Sequence, residues 1–121
     1  MNIKTVIILS FLILLLLIAG CVAYLPQDEL KFGIEAAQKG LWDEAIFRWE
    51  RVIQNDPKSP AGHNNLAVAL EKKGDFERAE KEYKRALELS PENELIQSNY
   101  KRFKENLNKI NEKDEKKDEK K

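Results

Sequence analysis

The sequence repeats itself with a period of 34 residues. Gly40 recurs as Gly74, and Pro57 recurs as Pro91. At the same offset, small residues meet small ones and large apolar residues meet apolar ones, in the pairs Gly33 and Ala67, Trp42 and Phe76, Ala45 and Ala79, Trp49 and Tyr83, Val52 and Ala86. A fixed period of this length indicates one supersecondary unit that stacks on a copy of itself.

Each unit contains a stretch with an apolar stripe at helical spacing. The stripe consists of Trp42, Ile46, Trp49 and Ile53 in one unit and of Phe76, Tyr83 and Leu87 in the other. Ala45 and Ala79 lie within these stretches, and their small side chains allow a second helix to approach closely. The pattern therefore predicts pairs of packed helices.

Residues that end or start helices separate these stretches. Gly40 and Gly74 follow helical segments, and glycine readily adopts the left-handed conformation that ends a helix. Two Ser-Pro pairs, at 59–60 and 90–91, place a hydroxyl before a proline. A serine cap followed by proline is typical of a helix start, so we expect helices to begin at both pairs.

These residues resemble the tetratricopeptide repeat, a helix-turn-helix unit. The stretches "GLWDEAIFRWERVIQNDP" and "GDFERAEKEYKRALELSP" carry the pattern of the family's second helix almost completely. The first helices depart from the pattern at two positions in each repeat, which hold Glu29, Ala36, His63 and Leu70. The resemblance implies an all-α fold with two repeats, at residues 27–59 and 60–93.

A further helix is predicted at 94–111, where apolar residues recur at spacings of four and three, namely Ile96, Tyr100, Phe103, Leu107 and Ile110. A repeat stack exposes the apolar face of its last unit, so we expect this helix to cover that face. The alternative is a coiled-coil seam between two copies, for which about two heptads are short. The charged tail at 112–121 has no apolar residue to bury, and we expect it to be a solvated, disordered extension.

Near the start of the chain, Lys4 is followed by an apolar run, which is the layout of a secretory signal. The segment "IAGC" ending at Cys21 resembles a bacterial lipobox, in which the cysteine receives lipid and the preceding signal is removed. This interpretation predicts a signal peptide at 1–20, a lipidated Cys21 and a short tether at 21–26. Several acyl chains on one residue would anchor the protein stably.

An uncleaved signal anchor is the main alternative, because residues 6–25 carry no charge and a helix of that length crosses a hydrocarbon core of about 30 Å. A cleaved, fully secreted form is the third. In both anchored forms Lys4 keeps the N-terminus in the cytoplasm, so the module faces the periplasm or the cell exterior. Val22 is not the aspartate associated with inner-membrane retention in enteric bacteria, which leaves an outer-membrane location open.

Little in the sequence indicates catalysis, and we expect neither an enzyme nor a cofactor. The chain has a single histidine, His63, and a single cysteine, so no second residue of either kind can complete a metal site. His63 is expected in the core or lining a groove. There is no glycine-rich phosphate loop. The formal net charge is zero, whereas nucleic-acid-binding domains present a clear basic face.

The fold implied by the resemblance does offer a binding surface. In tetratricopeptide proteins, the first helices of successive repeats line a concave face that takes peptide segments of partner proteins. The resemblance places Leu30, Ile34, Asn64, Asn65, Val68 and Glu71 on that face, with Ser98 and Arg102 at its edge. Aliphatic side chains beside amides suit a partly apolar peptide ligand. Alternatively, the same residues pack against the membrane-proximal segment or a second copy.

Two details refine this expectation. Leu30 and Ile34 are expected to lie off the stripe that Phe32, Gly33 and Ala36 turn toward the second helix. Some chaperone-binding members of the family hold a terminal carboxylate with Lys, Arg and Asn, and only Asn65 matches that clamp here, so we do not expect such a ligand. The sequence thus favours a membrane-anchored adaptor in an envelope protein assembly, with a self-associating structural protein, such as a homodimer, as the alternative.

Overall fold

The computed structural model describes residues 2–21 and 26–118, without the side chains of 15–21, 26, 27, 114, 117 and 118. These residues form six helices and no strand: α1 (Ile3–Cys21), α2 (Pro26–Gln38), α3 (Trp42–Asn55), α4 (Pro60–Lys73), α5 (Phe76–Leu89) and α6 (Glu94–Asp118). The predicted all-α fold is confirmed. The side chain of Cys21 and residues 22–25, on which the lipidation and tether predictions depend, lie outside the described residues.

Helix α1 carries the apolar start of the chain. Its large apolar side chains from Ile3 to Leu14 are exposed. Among the residues that the structure describes, no helix is both long enough and apolar enough to cross a bilayer.

Helices α2 to α6 pack in chain order, each against the next, and α6 also contacts α4. Ala45 and Ala79 are completely buried at the helix crossings, as their small size predicts. The core runs along the stack and includes the side chains of Trp49, Leu66, Leu70, Tyr83 and Phe103. Helices α2 and α3 form the first helix pair, and α4 and α5 form the second.

The predicted helix ends are largely confirmed. Gly40 and Gly74 adopt positive φ angles of 73° and 79°, which an L side chain would strain. The Ser59 hydroxyl caps α4 and accepts a hydrogen bond of 3.1 Å from the amide of Gly62. The following residue, Pro60, is the first residue of the helix, where its missing amide proton costs nothing.

The predicted helix start at Ser90 is wrong. Ser90 ends α5, and α6 begins at Glu94 after a short turn. The cap is Asn93, whose side-chain oxygen accepts a hydrogen bond of 3.2 Å from the amide of Ile96. The repeat offset explains the difference, because the residue 34 positions after the Ser59 cap is Asn93.

Helix α6 covers the end of the stack, as predicted. Ile96 and Phe103 are buried, and the Phe103 ring lies 5.3 Å from that of Tyr83 and 6.3 Å from that of Tyr100, between centroids. The helix continues past the expected end at residue 111 and includes most of the tail, to Asp118. Lys and Glu are good helix formers, so a tail without apolar residues can extend an existing helix.

Phe32 and Leu30 of α2 do not lie in the environments that the sequence predicts. Phe32 is predicted on the stripe that faces α3, yet it is 43% exposed. Leu30 is predicted off that stripe, yet it is half-buried against the core. Leu66, which lies 34 positions after Phe32, is 1% exposed because α4 has helices on both sides. Helix α2 begins the stack, so the position that Leu66 buries in the second repeat is open in the first.

Candidate functional site

A concave groove of about 430 Å³ opens between α2, α4 and α6. Its lining consists of Ile34, Ala37, Gln38, Trp42, Trp49, Asn64, Asn65, Val68, Leu95, Asn99 and Arg102. The first helix of each repeat and the covering helix contribute one wall each, and the two tryptophans of α3 form part of the floor. The groove is mostly apolar, with amides and one arginine along one side.

The structure brings together most of the residues that the resemblance placed on this face. Ile34, Asn64, Asn65 and Val68 line the groove, and Arg102 lines it at the edge. Their role in binding stays a prediction.

Three other predicted residues do not line this groove. Leu30 is half-buried, and its carbonyl accepts a hydrogen bond of 3.2 Å from the Trp49 indole. Glu71 lines a different depression, beside Asn106. Ser98 is exposed outside the groove. The resemblance gives positions along each helix but does not show how far each helix is rotated within the stack.

Two lining residues that the sequence analysis missed come from α6. Asn99 lies 34 positions after Asn65, so the repeat offset could have identified it. Leu95 precedes Asn99 by four residues and therefore shares its helix face. Leu95 is 64% exposed and Ile34 is 41% exposed, which makes them the most accessible aliphatic side chains of the groove.

Three asparagines form a chain of hydrogen bonds that joins the α4 and α6 walls. The Asn99 amide donates to the Asn64 side-chain oxygen at 3.1 Å, and the Asn64 amide donates to the Asn65 oxygen at 3.2 Å. Asn64 and Asn99 are buried. Buried amides that bond one another are held in fixed orientations. The Asn65 amide ends the chain and, within the described part of the protein, donates to no acceptor.

Arg102 differs from the other described arginines of this protein. Across residues 28–113 and the other described side chains, no carboxylate lies within 4.0 Å of its guanidinium, whereas Arg48, Arg78 and Arg85 each pair with a glutamate. It lies close enough to Tyr83 to affect that phenol. Burial raises the pKa of Tyr83, Glu71 raises it further, and the positive charge of Arg102 acts in the opposite direction.

Two buried polar clusters lie outside the groove and account for departures from the family pattern. The carboxylate of Glu29 is fully buried, at 3.1 Å from Nη1 of Arg48 and 2.9 Å from Nε of Arg51. The His63 ring is also buried, with Nδ1 at 2.6 Å from a Glu82 carboxylate oxygen and Nε2 at 2.9 Å from the Pro57 carbonyl. His63 thus belongs to the core, and both of its ring nitrogens have bonded partners.

The described residues were also compared with the requirements of a metal site. In the described ranges 2–21 and 26–118, no three residues among His, Cys, Asp and Glu are grouped so that they could hold a metal ion.

Stacked helix pairs with a concave groove define a helical-repeat protein. The model of the tetratricopeptide repeat family matches residues 30–94, which is more than half of the chain. The chain therefore belongs to the tetratricopeptide repeat family.

One solved structure shows the same fold. The structure of MamA AMB-1 matches with a TM-score of 0.62 and 22% sequence identity, over 77% of this chain and 51% of that one. This chain thus spans about half the length of MamA. The first TPR of Spaghetti (RPAP3), bound to the HSP90 peptide SRMEEVD, matches with a TM-score of 0.41 and 21% identity, over 68% of this chain and 92% of that one. A comparison with curated proteins found no match.

Proposed function

We propose that this protein is an interaction module that binds a segment of a partner protein in the groove between α2, α4 and α6. The observation that carries the proposal is the combination of exposed aliphatic side chains, Ile34 and Leu95, with a fixed row of amides. Aliphatic side chains supply affinity for a partly apolar ligand, and amides pair with its backbone. Membership of the tetratricopeptide family supports this use of the concave face.

The test changes the groove without changing the core. In the full chain, Ile34→Asp and Leu95→Asp should abolish capture of partner proteins from the source cells, because each places a charge where an apolar side chain is expected to sit. Both residues are exposed, so the melting temperature and the helical circular dichroism should stay close to those of the parent chain.

Leu41→Asp is the matched control. Leu41 is also an exposed aliphatic residue, it lies outside the groove, and the equivalent position of the second repeat is Asp75. This variant should capture the same proteins as the parent chain. If the two groove variants also capture them, the groove does not bind the partner and the proposal fails.

We further propose that the module is anchored to an envelope membrane, faces the periplasm or cell exterior, and acts as an adaptor in an envelope protein assembly. The apolar run before Cys21 supports this proposal, together with the small residues Ala19 and Gly20 that precede the cysteine. The alternatives of a lipidated cysteine and an uncleaved anchor place the groove on the same side of the membrane.

The intact mass of the mature protein tests the anchor. Loss of residues 1–20 with added acyl mass, abolished in Cys21→Ser, would establish lipidation. Full length in both proteins would establish an uncleaved anchor. Cleavage without acyl mass would show a secreted protein and would contradict membrane anchoring.

Self-association is a second candidate, favoured by the open end of the first repeat. Phe32 is 43% exposed at this end, and Phe47 is 49% exposed. The Arg48 guanidinium lies 5.7 Å from the centre of the Phe32 ring and 5.8 Å from the centre of the Phe47 ring. Sedimentation of the full chain in detergent should then depend on protein concentration, and Phe32→Asp should remove that dependence. A monomer at all concentrations would exclude this candidate.

A further inference from the structure

We infer that the segment bound in the groove carries an acidic side chain that pairs with Arg102. The inference rests on the proposed function and adds the charge and spacing of the ligand to it. It concerns a side-chain carboxylate within a segment, not the terminal carboxylate for which the family clamp is largely missing here.

The first argument is the charge of the groove. Among its lining residues, all of them described, Arg102 is the charged one, and the others are apolar side chains or amides. Arg102 is therefore a positive charge in the groove that no acidic lining residue offsets. A segment with a carboxylate at the matching position complements it, whereas a basic segment would be repelled.

The second argument is that the glutamate beside Tyr83 is already bonded. Glu71 accepts a hydrogen bond of 3.0 Å from the Tyr83 hydroxyl and a weaker one of 3.5 Å from the Asn106 amide. Arg102 lies close enough to Tyr83 to act against the rise in the pKa of that phenol, but among the described side chains no carboxylate lies within 4.0 Å of its guanidinium. The donors of Arg102 therefore stay available to a ligand. A guanidinium binds a carboxylate strongly through two parallel hydrogen bonds.

The third argument is the spacing on α6. Leu95, Asn99 and Arg102 follow one another at intervals of four and three residues, so they form one helix face. At 1.5 Å per residue, Leu95 and Arg102 are separated by about 10 Å along the axis. An extended segment covers that distance in about three residues. The ligand should therefore have an acidic residue about three positions from an aliphatic one, with its backbone facing the asparagines between them.

The experiment selects ligands from short random peptides displayed on phage, with the full chain held in detergent as the target. The parent chain should enrich peptides with Asp or Glu near Leu, Ile or Val at this spacing. Arg102→Glu should instead enrich peptides with Lys or Arg at the same position, and Arg102→Gln should lose the charge preference. A synthetic peptide of the enriched sequence should bind about tenfold more weakly when its acid is changed to the amide, because a hydrogen bond to a charged group contributes at least that factor.

Lys101→Glu is the control for charge alone, since it makes the same change in net charge one residue away, at an exposed position outside the groove. It should enrich the same peptides as the parent chain. Circular dichroism and melting temperature confirm that each variant is folded.

The outcomes separate the two proposals. If enrichment is lost in Ile34→Asp but the enriched peptides carry no acid, or do not respond to Arg102→Glu, the acidic ligand is excluded and the groove proposal stands. If enrichment does not depend on Ile34 at all, the groove proposal itself fails. Both proposals are supported if enrichment is lost in Ile34→Asp and if Arg102→Glu enriches basic peptides in place of acidic ones.

Discussion

At the scale of single residues, Gly33 shows how little space is left between the two helices of the first repeat. A β-carbon at this position would overlap the indole of Trp49, which is buried and donates a hydrogen bond to the Leu30 carbonyl. The sequence shows that the position is small in both repeats, as Gly33 and Ala67. It cannot show that an indole ring occupies the space, because that depends on the rotation of α3.

Gly33→Ala should therefore destabilise the protein. Forcing a methyl group into a packed site costs about 1–3 kcal/mol, and the better helix propensity of alanine returns up to about 1 kcal/mol. Urea unfolding followed by circular dichroism measures the difference. Trp49→Phe in the same chain removes the overlapping indole ring, so the double variant should lose less than the sum of the two single changes. A Gly33→Ala variant as stable as the parent would contradict the close packing.

Ala79→Leu tests the equivalent crossing of the second repeat. Ala79 is completely buried, and a leucine there would push α4 and α5 apart at a cost of about 1–3 kcal/mol. Ala61→Leu is the control, because Ala61 is an exposed residue of α4. Thermal unfolding of both variants decides the matter, and an unchanged melting temperature for Ala79→Leu would argue against the repeat register.

At the scale of helices, the caps separate what the sequence could predict from what it could not. Serine before proline predicts a helix start, and this is correct at Ser59 but wrong at Ser90. The local motif is the same at both places, and only the position within the repeat differs. The repeat offset therefore indicates this boundary better than the local motif does.

Replacing the caps tests this assignment. Ser59→Ala and Asn93→Ala should each lower the free energy of unfolding by about 1 kcal/mol, since each leaves a helix amide without its side-chain acceptor. Ser90→Ala should change it by less than about 0.5 kcal/mol, as expected for a residue without a capping bond. Urea unfolding of the three variants provides the comparison, and a larger loss from Ser90→Ala than from Asn93→Ala would reverse the assignment.

The groove shows a similar limit. The family resemblance placed Ile34, Asn64, Asn65 and Val68 on one face, and these four residues line one groove. Leu30 was placed with them but is half-buried against the core, because an apolar residue at a given helix angle is covered or open depending on its neighbours. Only the stacked structure gives that information.

At the scale of the whole molecule, the two ends of the stack differ. The last repeat is covered by α6, whereas the first repeat has Phe32 exposed where Leu66 is buried in the second. End units of a repeat stack usually need a polar outer face. The sequence predicted the cover at the C-terminal end, since its apolar stripe is explicit. It did not reveal the open N-terminal end, because Phe32 looks like a core residue.

Leu66→Ala and Phe32→Ala should accordingly have unequal effects. Emptying the buried Leu66 site should cost about 2–5 kcal/mol. Truncating Phe32 should cost less than about 1 kcal/mol, because much of its ring is already in water. Urea unfolding at two protein concentrations measures both. Equal losses would show that Phe32 is covered in solution, and a loss that grows with protein concentration would identify the cover as a second copy.

The buried polar pairs have a consequence for which helices can pack together. Residues 29 and 48 in the first repeat occupy the same places as 63 and 82 in the second, but the carboxylate lies on the first helix in one and on the second helix in the other. If α2 packed against α5, the buried Glu29 would face the half-buried Glu82, and two carboxylates repel each other there. The two repeats match in shape but not in charge. The chain therefore has one favourable order in which its paired helices can stack, although its sequence repeats.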